Sequence, residues 1–514
     1  MKKSLLILGL LGMASSVYAQ TTPPFGVGRW AVVNTTAVNT FDGYALDDIH
    51  ATTPTLAWGL TYDSNAATIE NKTYIRSNNA TGTEFDFGPI GDAATPAFRA
   101  ANIVGISLPG AQQGRVALAS TFNSISGGGQ IIRTANGGTT WTAVQGANMA
   151  APLGFNNFVH MFNATDGVSF GDPNSDGTPA TPYFEVLRTT NGGLTWTRRP
   201  SSSVPPRLNE FEGGLTRSYF SLPGTNIIWA GGASFGPTPG PARMFKSVDG
   251  GLNWTVANTP LTSQINRIAF KDALNGIAFN RLNAPGTPTT PPAPGSINVI
   301  RTTDGGLTWT TITPANVANG KFFAYDIDAV PASGTTPGFY ISVGFSRVPN
   351  AAAPNPNDTF GSSTSTDGIT WRDIDNGILV DPMTRRVYTC VDILSTTAGY
   401  AGGIFQAGTG AGGVYRLNAA TPLPTRAAAA KSMLSAYPNP STGVFEVQLE
   451  SGVKTVTQLT VTDALGRVVY SRTLTPSTAN SGTITVDLTK EKTGVYVMEL
   501  RNEAGVSQKK VVVQ

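Results

Sequence analysis

TTDGGLTW, residues 302–309, occurs five times in close variants: TANGGTTW at 134–141, TTNGGLTW at 189–196, SVDGGLNW at 247–254, and STDGITW at 365–371, one residue shorter. Two looser copies extend the series, RSNNATGTEF ending at Phe85 and GRWAVVN carrying Trp30. The aromatic positions 30, 85, 141, 196, 254, 309 and 371 are spaced by 55, 56, 55, 58, 55 and 62 residues, and a period sustained that long marks a repeat architecture. Each motif is a turn with its own chemistry. Asp or Asn accepts hydrogen bonds from backbone N–H groups two residues on, and the Gly pair takes φ > 0 without a Cβ clash. The Trp that follows is large enough to cover a neighbouring unit.

A second series lies between these marks, short apolar strands such as Leu56–Gly59, Val116–Leu118, Val168–Gly171, Ile228–Gly231, Ile277–Phe279, Tyr340–Gly344 and Tyr400–Gly403. Upstream of each sits another apolar segment, for example INRIAF at 265–270. Each unit therefore offers an inner strand, a second strand, a third running into the turn, and an outer strand starting at Trp. Four strands in roughly 55 residues, seven times over, describe an all-β chain folded as a seven-bladed β-propeller. The strand at Trp30 has no upstream partner, and the last unit, through GGVYRLN at 412–418, lacks an outer strand. The first strand is expected to complete the last blade, leaving no edge open. The repeats resemble the Asp-box (BNR) repeat of sialidase-like and photosystem-assembly-factor-like propellers. In that comparison Asn136, Asn191, Asp249, Asp304 and Asp367, with Trp141, Trp196, Trp254, Trp309 and Trp371, are structural and sit at the outer rim.

Composition agrees with a turn-rich folded chain: 514 residues, 58 Gly, 35 Pro, 40% apolar and only 13% charged. The net charge is +3, and two of the positives, Lys2 and Lys3, lie in the leader, so no electrostatic footprint for nucleic acid exists. MKKSLLILGLLGMASSVYAQ reads as a signal peptide over 1–19, its apolar run too short to span a bilayer. With one cysteine, Cys390, no intrachain disulfide forms. The propeller is expected over 20–418 and a linker over 419–434. Residues 435–514 alternate as short strands and suit a small Ig-like β-sandwich. Tyr437-Pro438-Asn439-Pro440, Gly443, the turn Asp463–Arg467, Gly494-Val495-Tyr496 and the closing Lys509–Val513 resemble the type A C-terminal sorting domain of the type IX secretion system. That resemblance implies the secretion machinery as a partner and a secreted or outer-membrane surface destination. A monomer without a transmembrane segment is expected.

In propellers a ligand sits over the central channel; here it is expected where inner strands start and blades are joined. Glu210 and Glu212, before the fourth inner strand, are the candidate catalytic carboxylates of a glycoside hydrolase, sialidase-like or xyloglucanase-like. Asp48, Asp326 and Asp392 fall at equivalent inner-strand positions, His50 and His160 lie in corresponding inner-strand regions, and Arg217 and Arg267 are near the two glutamates in sequence; these seven are the binding candidates. Asp172, Asn174 and Asp176 match the start of a calcium loop, but Tyr183 stands where a bidentate Glu is needed, so a polar turn is expected and no cofactor is required. The favoured function is an exported recognition module for a glycan or protein ligand, the hydrolase being the alternative.

Overall fold

The computed structural model describes residues 30–32, 44–63, 70–77, 80–91, 98–106, 114–123, 128–149, 154–173, 183–237, 240–281, 297–316, 321–346, 359–374, 388–403, 413–417, 434–449, 457–463, 467–474, 483–502 and 505–514. The leader at 1–19 and nearly all of the expected linker lie outside them. The chain divides into two compact units, Met1–Ala420 and Thr421–Gln514.

The first unit is a ring of antiparallel sheets, seven among the described residues. Their inner strands are Tyr44–Thr53, Phe98–Ile106, Asn156–Met161, Glu212–Ser221, Arg267–Phe270, Asp326–Val330 and Tyr388–Ser395, which define blades 1 to 7 in that order. Each inner strand touches the next, and the seventh touches the first. In blade 4 the order outward is Glu212–Ser221, Ile228–Ser234, Pro241–Ser247, Thr255–Thr262, and the other blades repeat it. Blade 6 carries an addition that the repeat does not announce: Ala315–Asn316 pairs in parallel with Thr370–Trp371 of its outer strand.

Blade 7 is completed from the N-terminal side, as expected. Trp30, Ala31 and Val32 lie opposite Leu417, Arg416 and Tyr415 in antiparallel register. Trp30 is buried, donates its indole N–H to Ser362 Oγ of blade 6 at 2.9 Å, and packs on Tyr388. Three more aromatics of the series likewise reach the preceding blade: Phe85 meets Tyr400 of blade 7, Trp141 meets Trp58 of blade 1, and Trp254 meets Phe170 of blade 3. Such contacts make the blade interfaces the core of the ring.

The turns hold themselves shut. Thr302 Oγ1 donates to Asp304 Oδ1 at 2.7 Å and accepts from Gly306 N at 3.0 Å. Thr308 N and Leu307 N donate to the same carboxyl oxygen. The Thr308 hydroxyl and these amides hold the exposed Asp304 carboxyl down to about 2. Gly305 and Gly306 have φ of 78° and 92°, a region where a side chain is strained.

The second unit is a sandwich of two sheets. One orders Leu434–Tyr437, Val444–Leu449, Thr483–Asp487, and the other Val468–Leu474, Thr457–Thr462, Gly494–Asn502, Gly505–Val513. Their inward faces bury Phe445, Val447, Leu459, Val461, Val486, Met498 and Val511. Asn439 acts as an extra strand residue, its Nδ2 donating to Lys510 O and its Oδ1 accepting from Val512 N, both at 2.9 Å.

Candidate functional site

The central channel holds a cavity of about 370 Å³. It is lined by inner-strand residues, among them Arg267 and Asp326 at the first positions of their strands, and by the hairpins that follow the inner strands, including Leu222–Thr225, Pro331 and Leu394. The Asp/Asn-Gly-Gly turns lie on the same side, since Gly250 N donates to Asn226 O and Gly305 N to Leu274 O of those hairpins.

Neither candidate glutamate lines this cavity. Glu212 sits at the first residue of a ten-residue strand whose far end lines the cavity. Its carboxylate is buried against Arg243, accepting from Nε at 2.5 Å and Nη2 at 2.6 Å. Arg243 needs that partner, because a buried guanidinium without one is costly. Glu210 is exposed and does not line the cavity either. Of the calcium-loop candidates, Asp172 is half-buried; burial pushes its pKa up, and its Oδ1 accepts from Asn157 Nδ2 and Gly214 N. Glu185, the nearest substitute for the missing Glu, pairs with Arg198. Asn174 and Asp176 lie outside the described residues, among which no group of three metal ligands occurs.

The seven binding candidates, by contrast, are brought together: Asp48, His50, His160, Arg217, Arg267, Asp326 and Asp392 all line the cavity. Asp47, Asp328 and Tyr219 line it as well and were missed. Asp328 follows Asp326 by two, so strand alternation alone puts it on the same face. Asp47 and Asp48 are adjacent and both line the cavity because a bulge lies between Leu46 and Asp48.

Most of these carboxylates also join blades. Asp48 accepts from Ile103 N of blade 2 at 3.3 Å, Asp326 from Val391 N and Asp328 from Ile393 N of blade 7, and Asp392 from Ala51 N of blade 1. Two ion pairs cross the site: Arg217 Nη2–Asp47 Oδ2 at 2.9 Å and Arg267 Nε–Asp326 Oδ1 at 2.7 Å. Arg217 on blade 4 thus reaches blade 1 through the channel. Its own backbone is left-handed, φ 58°, in a bulge between Gly214 and Tyr219.

Protonation follows from burial and charge. Burial works against the charge on Arg217, yet Asp47 and Asp48 outweigh it and hold its pKa above the ordinary value. Burial and the nearby His50 take His160 down to about 3, so it is neutral. Burial raises Asp328 well above the usual carboxylate range, and Asp392 adds to this. Burial likewise lifts Asp48 to about 6 against the pull of Arg217. A carboxyl whose folded pKa exceeds its unfolded value stabilises the fold fully only while protonated, and that stability is lost as pH rises from about 4 to 6. Asp48→Asn should therefore gain about 1–3 kcal/mol over wild type at pH 7 and little at pH 4, as urea unfolding at the two pH values will measure.

A model of the secretion system C-terminal sorting domain matches residues 435–514. No curated protein matches the chain in sequence. Among solved structures, the α-L-arabinofuranosidase Arb93A from Fusarium graminearum is 11% identical with a TM-score of 0.37, covering 63% of this chain and 93% of its own. A protein of unknown function from Dyadobacter fermentans is 12% identical with a TM-score of 0.37, covering 64% and 97%. A xyloglucanase from Xanthomonas campestris is 13% identical with a TM-score of 0.22, covering 73% and 67%. Likeness at that level carries nothing about ligand or reaction. Among the described residues no helix is long and apolar enough to cross a membrane. With its sorting domain at 435–514, the chain is cargo of type IX secretion, bound for the cell surface or the extracellular space.

Proposed function

We propose that the mature chain is an exported Asp-box propeller, freed of its leader after Ala19, that recognises a glycan in the cavity of its central channel without turning it over. One observation carries this reading: charged side chains from blades 1, 4, 5, 6 and 7 converge on one cavity, each fixed in place beforehand. Carboxylates with remaining lone pairs accept from sugar hydroxyls, and guanidinium groups donate to sugar oxygens. Because their positions are set by the neighbouring blade's backbone, little ordering is needed on binding. The volume suits a short stretch of sugar units.

The test is a screen of soluble oligosaccharides against the full mature chain and against Asp48→Asn. Expected are saturable binding, at least about tenfold weaker binding in the variant, and no reducing ends released. Absence of binding to every glycan overturns the reading. Glycoside hydrolysis stays as the second reading because Asp48, lifted to about 6, and Asp328, raised by burial, are proton donors beside the carboxylate Asp392. Release of sugar by wild type that Asp48→Asn abolishes selects it.

A further inference from the structure

Resting on the glycan reading, we propose that the ligand of the cavity is an uncharged sugar chain, its hydroxyls on His50 and Asp392 and its carbon face on the rings of blades 3 and 4.

The charges of the cavity answer one another. Arg217 on blade 4 holds Asp47 at 2.9 Å, and Arg267 on blade 5 holds Asp326 at 2.7 Å. All four side chains are mostly buried, so water and salt screen these pairs little. No other lysine or arginine lines the cavity among the described residues. A carboxylated sugar therefore meets no free cation there and would lose its hydration without return. An ammonium fares no better. Asp328 accepts from Ala329 N on one oxygen and from Ile393 N on the other, and burial keeps it protonated. Asp48 accepts from Ile103 N, lies under the pull of Arg217, and is lifted by burial to about 6. The remaining carboxylate, Asp392, accepts from Ala51 N and faces His50 Nδ1 at 3.3 Å.

The two sides of the cavity differ in what they offer. His50 and Asp392, on blades 1 and 7, are more exposed than either arginine pair, 25% and 22% of their side chains being open. Asp392 Oδ1 and the second ring nitrogen of His50 have no partner among the described residues, and both suit a hydroxyl. Blades 3 and 4 present rings instead. Phe162 stands edge-on to His160 at 5.0 Å, His160 lies 5.7 Å from Tyr219, and all three line the cavity. With its pKa driven down to about 3 by burial, His160 is as uncharged as its neighbours. A sugar ring carries hydroxyls round its edge and C–H groups on its faces, which fits a polar wall opposite an aromatic one. A purely apolar ligand suits the rings but strips water from His50 and Asp392 without replacing it.

The experiment is calorimetry on the full mature chain at about pH 5, where Asp48 is mostly protonated. The probes are trimers of glucose and of galactose, each as the neutral sugar, the 2-amino sugar and the 6-carboxylate. A neutral trimer should bind at least about tenfold more tightly than both of its charged counterparts, since either charge enters without a counter-ion. Its affinity should hold as salt is raised. His50→Ala, at a half-buried side chain, should fold as wild type and weaken that binding about tenfold. Should it fail to fold, Phe162→Ala carries the same comparison from the opposite wall. Unchanged binding in the folded variant overturns the placement. A charged trimer that binds as tightly as its neutral counterpart overturns the uncharged ligand and leaves the glycan reading standing. Binding of none of the six overturns both.

Discussion

Glu212→Ala is expected to destabilise the propeller by about 3–5 kcal/mol, whatever it does to ligand binding. The carboxylate is the buried counter-ion of Arg243, whose Nη2 also reaches Pro206 O at 2.8 Å, and it accepts from Leu208 N as well. Removing it strands a guanidinium with no water to take over its donors. Chemical denaturation reads the loss directly, and Glu210→Ala is the matched control. Glu210 is exposed, and its replacement should stay within about 0.5 kcal/mol of wild type. Equal behaviour of the two variants would show that Glu212 is not the anchor of the loop from Pro206 to Leu208.

Trp30→Ala is expected to cost about as much, some 3–5 kcal/mol, because it empties a buried indole site at the junction of blades 6 and 7. The loss includes the bond to Ser362 Oγ, so Trp30→Phe should recover most but not all of the stability. Deleting residues 20–32 goes further. The strand Val414–Leu417 then becomes an edge with unpaired backbone groups, and the chain should self-associate on gel filtration. A monomer with wild-type melting after that deletion would refute closure by the first strand.

The ring was legible in the sequence because its turns are chemically demanding. An Asp or Asn that must accept several N–H groups, followed by residues at positive φ, admits few alternatives, and the aromatic after it repeats at a fixed phase. The sandwich was legible for a similar reason, its alternating strands separated by obligatory turns. The site was legible only in part. Inner-strand position brought Asp48, His50, His160, Asp326 and Asp392 to notice, nearness to the two glutamates brought Arg217 and Arg267, and all seven share the cavity. What sequence does not carry is which carboxylate a neighbouring strand claims: Glu212, expected to face the channel, is buried on Arg243, and Glu210 does not line the cavity either. Bulges defeat alternation too. One lets Asp47 and Asp48 line the same cavity, and another accompanies the left-handed turn at Arg217. Ion pairing between distant blades, such as Arg217 with Asp47, is invisible until the ring exists.

That Trp30 lies opposite Leu417 also fixes an order of events. Contacts so far apart along the chain form slowly and late. A polypeptide crossing a membrane from its N-terminus presents Trp30 first and must carry it exposed until the last sector has emerged. Until Val414–Leu417 has emerged as well, the first strand has no partner for its native pairing. The export address at 435–514 thus lies C-terminal to the segment whose appearance completes the cargo.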